Sequence, residues 1–237
     1  MRRVEDGVEV LDRPTPRAAR AASLADMERL NAWSLGHALT LRHVVRAVRH
    51  RPADRTLWIV DLGTGGGGLA VRIARWARRA GRPARVIAID VDADAAELSR
   101  RAARQHPEVT VVRADAAALP LRTRSVDLVV SSLLLHHLDP PDAAQALAEM
   151  AGASRLGFVV NDLWRARIGV AMVWLTTRLF RCHPISRHDG PLSVRRSYSP
   201  AEIRALAARA GVGRVEVRRY AWLMRIIAIG GSARERA

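Results

Sequence analysis

The chain has little cysteine, few aromatic residues and no long apolar run, and it contains no lysine. Its single cysteine, Cys182, excludes an internal disulfide and is typical of a protein kept in the reducing cytoplasm. No stretch of about 18 uninterrupted apolar residues is present, so the sequence predicts no membrane-spanning helix. The segment after Arg2 and Arg3 is polar and alanine-rich, so we expect neither a secretory nor a twin-arginine signal. These absences favour a cytoplasmic protein.

Because lysine is missing, the formal net charge of +16 comes from 39 arginines set against 23 acidic residues. Such a charge is typical of proteins that bind nucleic acid or an anionic membrane surface. The arginines are spread along the chain instead of forming one patch, and with the abundant alanine they are typical of a GC-rich genome. We therefore interpret the charge as a solvated basic surface and do not expect nucleic acid as a partner.

From residue 57 onward, short apolar segments alternate with segments of helical periodicity. The predicted strands lie at 57–61, 85–90, 109–113, 126–131 and 156–161, and the predicted helices between them lie at 69–80, 93–104 and 141–150. Two further apolar segments, 214–218 and 222–229, predict a closing hairpin. This alternation indicates an α/β fold with a parallel, doubly wound sheet.

The amino-terminal part of the chain lies outside this alternation. Residues 1–22 carry prolines and scattered charge, which predict a loose arm. In residues 24–50 apolar residues recur at helical spacing, with Gly36 as a break, and we expect a helical lid there.

A second segment, 163–197, interrupts the alternation after the fifth strand. An apolar stretch at 164–180 predicts a helix, and the residues from Cys182 to Pro191 predict a loop. Together they predict an inserted cap. The pattern of Ser199 and Glu202 is that of a capping box, which opens a helix ending near Ala210.

A glycine-rich turn follows the first predicted strand. Glycine permits positive φ and lets a ligand lie against bare backbone, which suits a nucleoside cofactor. The pattern Gly63-x-Gly65-x-x-Gly68 with Asp90 downstream matches the dinucleotide fingerprint, which nicotinamide enzymes and methyltransferases share. Three further features separate the two classes. They are Asp61 at the strand end, the run Arg113-Ala114-Asp115-Ala116 before Leu119-Pro120, and the run Ser125–Ser132 followed by Leu135-His136-His137-Leu138.

With these motifs in order, the chain resembles the class I S-adenosylmethionine-dependent methyltransferases. It is most similar to the small-molecule branch that includes ubiquinone and menaquinone C-methyltransferases and natural-product O-methyltransferases. The resemblance covers residues 57–162 strongly. It implies a Rossmann-like, doubly wound, seven-stranded sheet with the last strand antiparallel. We expect an arm and lid at 1–52 and a methyltransferase domain at 53–237, with a cap insertion at about 163–197.

The resemblance implies S-adenosyl-L-methionine as cofactor and S-adenosyl-L-homocysteine as product. It assigns the turn to the methionine part of the cofactor and Asp90 to both ribose hydroxyls, since a carboxylate offers acceptors to two donors. It assigns Asp115 to the adenine amino group, and Ser131 to the floor near the methyl group. The cofactor-binding candidates are Asp61, Gly63, Thr64, Gly65, Asp90, Val91, Asp115, Ala116 and Ser131. Asp92 and Asp94 open a helix, so we interpret them as favouring its dipole.

Methyl transfer to a phenol or enol gains from a base near neutral pKa, a property of histidine. His136 and His137 follow the fourth strand, with His137 the favoured candidate, and His188 stands beside Asp189 in the inserted segment. The candidates for substrate contact are Asn161, Asp162 and Trp33. The alternatives are that one of the paired histidines only anchors its loop, that Asp189 only forms a turn, and that Trp33 only packs under the lid. Cys182, His183, His188 and Asp189 match no usual ligand spacing, so no metal is expected.

The function that the sequence favours is methylation of a small aromatic or polyketide-like acceptor, at oxygen, assisted by a histidine base. C-methylation of a quinone-like lipid is one alternative. An RNA methyltransferase is another, although Ser131-Ser132-Leu133 stands where base-amine methyltransferases carry an Asn/Asp-Pro-Pro-aromatic turn. The apolar 166–180 stretch could roof the substrate, form a homodimer or contact a membrane.

Overall fold

Seven strands form one mixed sheet in the order β3-β2-β1-β4-β5-β7-β6. Residues 1–231 are described in the computed structural model of the chain, and the end of the predicted domain, 232–237, lies outside the described residues. The strands are β1 (Leu57–Leu62), β2 (Ala84–Asp90), β3 (Val109–Arg113), β4 (Leu128–Ser132), β5 (Phe158–Leu163), β6 (Val215–Tyr220) and β7 (Arg225–Gly230). β1 to β5 are parallel, and β7 runs antiparallel to both β5 and β6. The predicted Rossmann-like sheet and its antiparallel last strand are confirmed.

Eight α-helices accompany the sheet in the described residues. They are α1 (Arg17–Trp33), α2 (Gly36–Val48), α3 (Gly68–Arg79), α4 (Ala93–Ala102), α5 (Pro140–Ala153), α6 (Arg167–Leu179), α7 (Pro184–Arg196) and α8 (Pro200–Arg209). Apolar side chains cover both faces of the sheet, as parallel strands require. Phe158 and Leu147 belong to one buried cluster, and Ile59 and Ile73 belong to the other.

The predicted loose arm is ordered, which corrects the sequence interpretation. Residues 1–16 lie along α7, where the backbone N–H of Val4 donates to the carbonyl of Arg195 at 3.1 Å. The buried carboxylate of Asp189 accepts from the backbone N–H groups of Val10 and Leu11 at 2.9 and 3.1 Å. The arm gives this buried carboxylate two backbone donors, and nothing in the local sequence indicates the contact.

The predicted loop from Cys182 to Pro191 is also wrong, because most of it forms α7. Pro184 occupies the first turn, where a missing N–H costs nothing, and the His183 side chain accepts from the backbone N–H of Ile185. Gly190 and Pro191 are typical of loops, but here they lie inside a helix that packs on α6. Tertiary packing therefore overrides the local preference of these residues.

Candidate active site

The glycine-rich turn lies at the carboxyl edge of β1, where ligands bind in sheets of this kind. Gly63, Gly65 and Gly67 have φ values of +69°, +53° and +82°, a region that residues with a Cβ rarely adopt. The backbone N–H groups of Gly63 and Thr64 both donate to the carbonyl of Ile89, so the turn is fixed against β2. A cavity of about 60 Å³ lies against this turn.

Asp61 lies under the turn and is 1% exposed. Its carboxylate accepts a hydrogen bond from the Thr64 hydroxyl at 2.7 Å. Burial raises the pKa of Asp61 to about 7, and the neighbouring carboxylates of Glu28 and Asp90 add to this rise. A cationic group placed in the cavity would favour the ionised carboxylate, and the ammonium of a bound amino acid moiety is such a group.

Asp90 ends β2 beside the turn, and each of its oxygens holds one backbone donor. Oδ2 accepts from the N–H of Gly65 at 2.8 Å, and Oδ1 accepts from the N–H of Asp92 at 3.0 Å. Burial raises the pKa of Asp90 as well. Each oxygen keeps a second lone pair, so the carboxylate can accept from two ribose hydroxyls. The predicted role of Asp92 in its helix agrees with the structure, since Asp92 accepts from the N–H of Ala95 and caps α4.

The rest of the predicted cofactor site lies along the same sheet edge. Val91 is exposed just after Asp90, which leaves its apolar surface free to contact a base. Asp115 follows β3, and its Oδ1 accepts from the N–H of Ala117 at 2.9 Å, while Ala116 is buried. The hydroxyls of Ser131 and Ser132 are buried without a hydrogen-bond partner among the residues described. Buried hydroxyls without partners, next to a turn that has few side chains, fit a nucleoside cofactor that carries an amino acid group.

The lid contributes two residues to this cavity that sequence reasoning missed. Glu28 of α1 reaches over the glycine turn, and its Cγ would lie 3.3 Å from a Cβ placed on Gly66. The Glu28 carboxylate pairs with Nε2 of the buried His37 at 2.9 Å. Neither residue belongs to a motif, and only the folding of α1 and α2 over the turn brings them there.

A second, larger cavity of about 300 Å³ lies between the lid, the cap and the closing hairpin. Its lining is mainly apolar and includes Leu30, Trp33, Leu163, Met172, Trp222 and Met224. The two cavities share Met27, Asn31 and Leu133, so they meet at one point. Leu133 has a φ of +62°, a conformation that turns the chain sharply after β4 at this junction.

Arg225 and His136 place polar groups on the wall of the larger cavity. The Nη2 group of Arg225 donates to Oδ1 of Asn31 at 2.9 Å, whereas its Nη1 group is buried and without a partner in the described part of the chain. Burial lowers the pKa of Arg225 to about 10, so the guanidinium keeps its charge at neutral pH. A buried cation with a spare donor can bind an oxygen of a ligand.

His136 is held by Asp162 through two contacts. Nδ1 of His136 lies 2.6 Å from Oδ1 of Asp162, and the backbone N–H of His136 donates to Oδ2 at 3.0 Å. Burial alone would raise the pKa of Asp162, but its contacts with His136 hold it below the usual range. The carboxylate at Nδ1 holds a proton on that nitrogen and orients the ring.

His137 has different surroundings from His136. Its Nδ1 lies 2.9 Å from Oδ1 of Asp12, and its Nε2 lies 3.9 Å from a carboxylate oxygen of Glu9. Burial alone would lower the pKa of His137, but Asp12, Glu9 and Asp162 raise it to about 9. His137 therefore carries a positive charge at neutral pH and is not free to accept a proton.

The Glu9 carboxylate approaches Nε2 of both His136 and His137. The three candidate ligand atoms lie within 4.8 Å of one another. They could bind a divalent cation if the three side chains moved closer together. Glu9 is almost fully buried and accepts from the Ser193 hydroxyl at 2.9 Å. No sequence motif indicated this cluster, because Glu9 comes from the arm.

The side chains of His188, Asn161 and Trp33 make other contacts. The side chain of His188 is 61% exposed and bonds Asp189 at 2.8 Å, and Asp189 anchors the arm. The amide of Asn161 donates to the Thr40 hydroxyl at 2.7 Å and to the carbonyl of Gly36, so it secures the lid. Trp33 lines the larger cavity and packs edge-on against Phe180.

Comparison with known families matches residues 59–157 to a family described as a methyltransferase domain. These residues therefore resemble a methyltransferase domain, and the sheet order is that of a Rossmann-like fold. No curated protein sequence matches the chain.

Solved structures resemble the chain in fold at low identity. A S-adenosylmethionine-dependent methyltransferase from Aquifex aeolicus is 18% identical, with a TM-score of 0.56 over 78% of this chain and 87% of that one. A methyltransferase domain of the citrinin polyketide synthase is 13% identical, with a TM-score of 0.60 over 79% and 49% of the two chains. A chain of a complex containing the Haloferax volcanii Trm112 methyltransferase activator is 17% identical, with a TM-score of 0.60 over 93% and 100%.

Within residues 1–231, no helix combines the length and the hydropathy needed to cross a bilayer.

Proposed function

We propose that the protein methylates a small aromatic or polyketide-like acceptor at an oxygen, with S-adenosylmethionine as methyl donor. The observation that carries this proposal is that two cavities meet at Met27, Asn31 and Leu133. The smaller cavity lies against the glycine-rich turn, and the larger one is mainly apolar. The cofactor, when bound, supplies an electrophilic methyl group for an in-line displacement. Asp90 and Asp115 would hold its adenosine part, and the turn at Gly63 to Gly65 its amino acid part.

His136 is the base in this proposal. Its Nδ1 contacts Asp162 and the residue lines the larger cavity, so Nε2 of the neutral ring would serve as the proton acceptor. Nε2 would take the acceptor hydroxyl proton as the oxygen gains its methyl group, and the Asp162 carboxylate would stabilise the imidazolium. The spare Nη1 donor of Arg225 would hold a substrate oxygen on the same wall. His137 is already protonated and His188 is exposed, so neither is retained as the base.

C-methylation is the second candidate, since an enol carbon needs the same base. Solved structures of similar fold include chains described as the CurJ and DszA carbon methyltransferases. In each case this chain spans about half the length of the other, at 52%. The acceptor atom then depends on how the substrate lies between His136 and the junction.

Calorimetry with S-adenosylmethionine tests the cofactor site, and transfer of a labelled methyl group to phenolic and quinone-like acceptors tests the reaction. Asp90→Ala is expected to weaken cofactor binding at least tenfold, because two ribose donors lose their acceptor. Asp94→Ala is the matched control, since Asp94 is a neighbouring carboxylate at the start of α4. Equal affinity of the Asp90→Ala variant and the wild type would refute the ribose assignment.

A further inference from the structure

Exposed apolar side chains surround the opening of the larger cavity. Trp33 and Trp222 line that cavity and are 57% and 72% exposed, so they form part of its rim. Helix α6 adds four exposed apolar residues that do not line the cavity, three on one face and Trp174 beside that face. We call the six side chains Trp33, Ile168, Trp174, Leu175, Leu179 and Trp222 the mouth patch. The patch holds three of the six tryptophans of the chain. An exposed apolar patch of this kind is typical of a surface that binds another molecule or a membrane.

Unpaired arginines lie beside the mouth patch. Arg167, Arg178 and Arg181 lie on or beside α6, are exposed, and form no salt bridge among the residues described. Arg178 lies over the ring of Trp174 at 4.0 Å, and Arg29 donates to the carbonyl of Phe180 at the end of α6. Arg29 is in addition paired with Asp26, and Arg165 with Glu202, so the free positive charge beside the patch is concentrated on α6.

An anionic bilayer matches this surface better than a second copy of the chain does. Tryptophan and arginine beside exposed leucine and isoleucine are the composition that enters the headgroup region of a membrane. The arginines would meet lipid phosphates at close range. Two copies joined through the same face would bring Arg167, Arg178 and Arg181 of one copy towards those of the other, which places like charges in contact.

We propose that the mouth patch docks on an anionic membrane surface and that the acceptor enters the larger cavity from the bilayer by an apolar tail. The part concerning the acceptor rests on the proposed methyltransferase function, whereas the docking does not. The cavity opens between α1, α6 and the turn after β6, which is where the patch lies. An acceptor of this class has an aromatic or enolic head, which reaches His136, and an aliphatic chain that crosses the rim.

Co-sedimentation of the full chain with vesicles tests the docking. We expect binding to vesicles of phosphatidylcholine with phosphatidylglycerol, weak binding to phosphatidylcholine alone, and loss of binding as salt is raised. The double variant Trp174→Ala with Leu179→Ala removes apolar surface outside the cavity and is expected to reduce the bound fraction at least tenfold. Arg181→Gln should weaken binding by roughly fivefold, as expected for one cation near the surface.

Trp58→Ala is the matched control, because Trp58 is also exposed but lies at the amino edge of β1. It should leave vesicle binding unchanged. The docking proposal is refuted if the wild type ignores phosphatidylglycerol vesicles, or if the double variant binds them as the wild type does. Sedimentation velocity tests the alternative occupant, a second copy of the chain. The docking proposal is refuted if the wild type forms a dimer that the double variant does not form and the wild type does not bind vesicles.

Methyl transfer to two alkylphenols separates the acceptor proposal from the docking proposal. Turnover of a long-chain alkylphenol carried in anionic vesicles should fall at least tenfold in the double variant, while turnover of a water-soluble short-chain alkylphenol stays unchanged. Equal turnover of the long-chain phenol by the double variant and the wild type would refute entry from the bilayer. If the wild type methylates neither phenol but still binds vesicles, the proposed phenolic acceptor fails and the docking stands.

Discussion

Asp162→Asn changes one atom of the proposed catalytic pair and should reduce turnover strongly. The carboxylate lies 2.6 Å from Nδ1 of His136 and is buried, so its charge is poorly screened. A charge pair at about 4 Å is worth about 4 kcal/mol at an effective dielectric constant near 20. Loss of that stabilisation for the imidazolium corresponds to a decrease in kcat of about a thousandfold. This value lies within the roughly hundredfold to ten-thousandfold effect usual for a general base.

The side-chain amide also disturbs the local hydrogen bonds. Asp162 accepts from Nδ1 of His136 and from the backbone N–H groups of His136 and Leu163. Whichever way the amide is oriented, its NH₂ group faces one of these donors. If it faces Nδ1, the imidazole proton moves to Nε2 and the base is lost.

Single-turnover rates with labelled cofactor, measured in parallel with cofactor affinity, test this prediction. We expect a large decrease in rate with unchanged cofactor affinity. His136→Gln alone, and His136→Gln combined with Asp162→Asn, should show the same decrease. His188→Ala is the control with full activity. A rate within threefold of the wild type for Asp162→Asn would exclude His136 as an oriented base. All assays are run with and without EDTA, because activity that depends on added zinc would reassign Glu9, His136 and His137 as metal ligands.

Two further predictions concern stability. The pKa of His137 is raised from 6.5 to about 9, so its stabilising effect is complete below pH 6.5 and is lost as the pH rises through 9. Denaturant unfolding of the wild type and of His137→Gln should therefore differ by up to about 3 kcal/mol more at pH 6 than at pH 10. Gly63→Ala should lower the free energy of unfolding by about 1–2 kcal/mol, because φ is +69° and the new Cβ meets the Leu134 side chain at 2.9 Å.

Matched variants control both stability measurements. His50→Gln replaces a histidine at the exposed end of the lid and should leave the difference from the wild type equal at the two pH values. Parallel pH curves for the wild type and His137→Gln would contradict the assigned contacts with Asp12 and Glu9. Gly152→Ala is the control for the turn, since no atom lies within 4 Å of its Cβ position, and it should not destabilise the protein. A Gly63→Ala variant as stable as Gly152→Ala would show that the turn tolerates a side chain.

The sheet was predictable because its signals are local. Each strand of the parallel part is an apolar segment between turn residues, and Ser199 with Glu202 forms the predicted capping box, with hydrogen bonds in both directions. The arm and α7 were not predictable, because they depend on contacts between distant residues. Nothing near Asp189 in sequence indicates that its carboxylate binds residues 10 and 11.

The candidate site likewise contains residues that local sequence signals predict and residues that only distant contacts bring there. Asp61, Asp90 and the glycines stand at strand ends in recognisable spacing, and the structure places them around one turn. Glu28, Glu9 and Arg225 carry no motif, since each reaches the site from another element of the fold. His136 and His137 are adjacent in sequence, but different carboxylates face them: Asp162 bonds His136, and Asp12 bonds His137 and raises its pKa.

The arm also affects the order in which the protein can fold. Glu9 meets Ser193 across 184 positions, Val10 meets Asp189 across 179, and Asp12 meets His137 across 125. Contacts between such distant residues carry a large loop-closure entropy and form late in folding. During synthesis, the residues that face His136 and His137 from the arm must wait until α7 has been made. The sheet edge that would hold the cofactor can form before the wall that would hold the acceptor is complete.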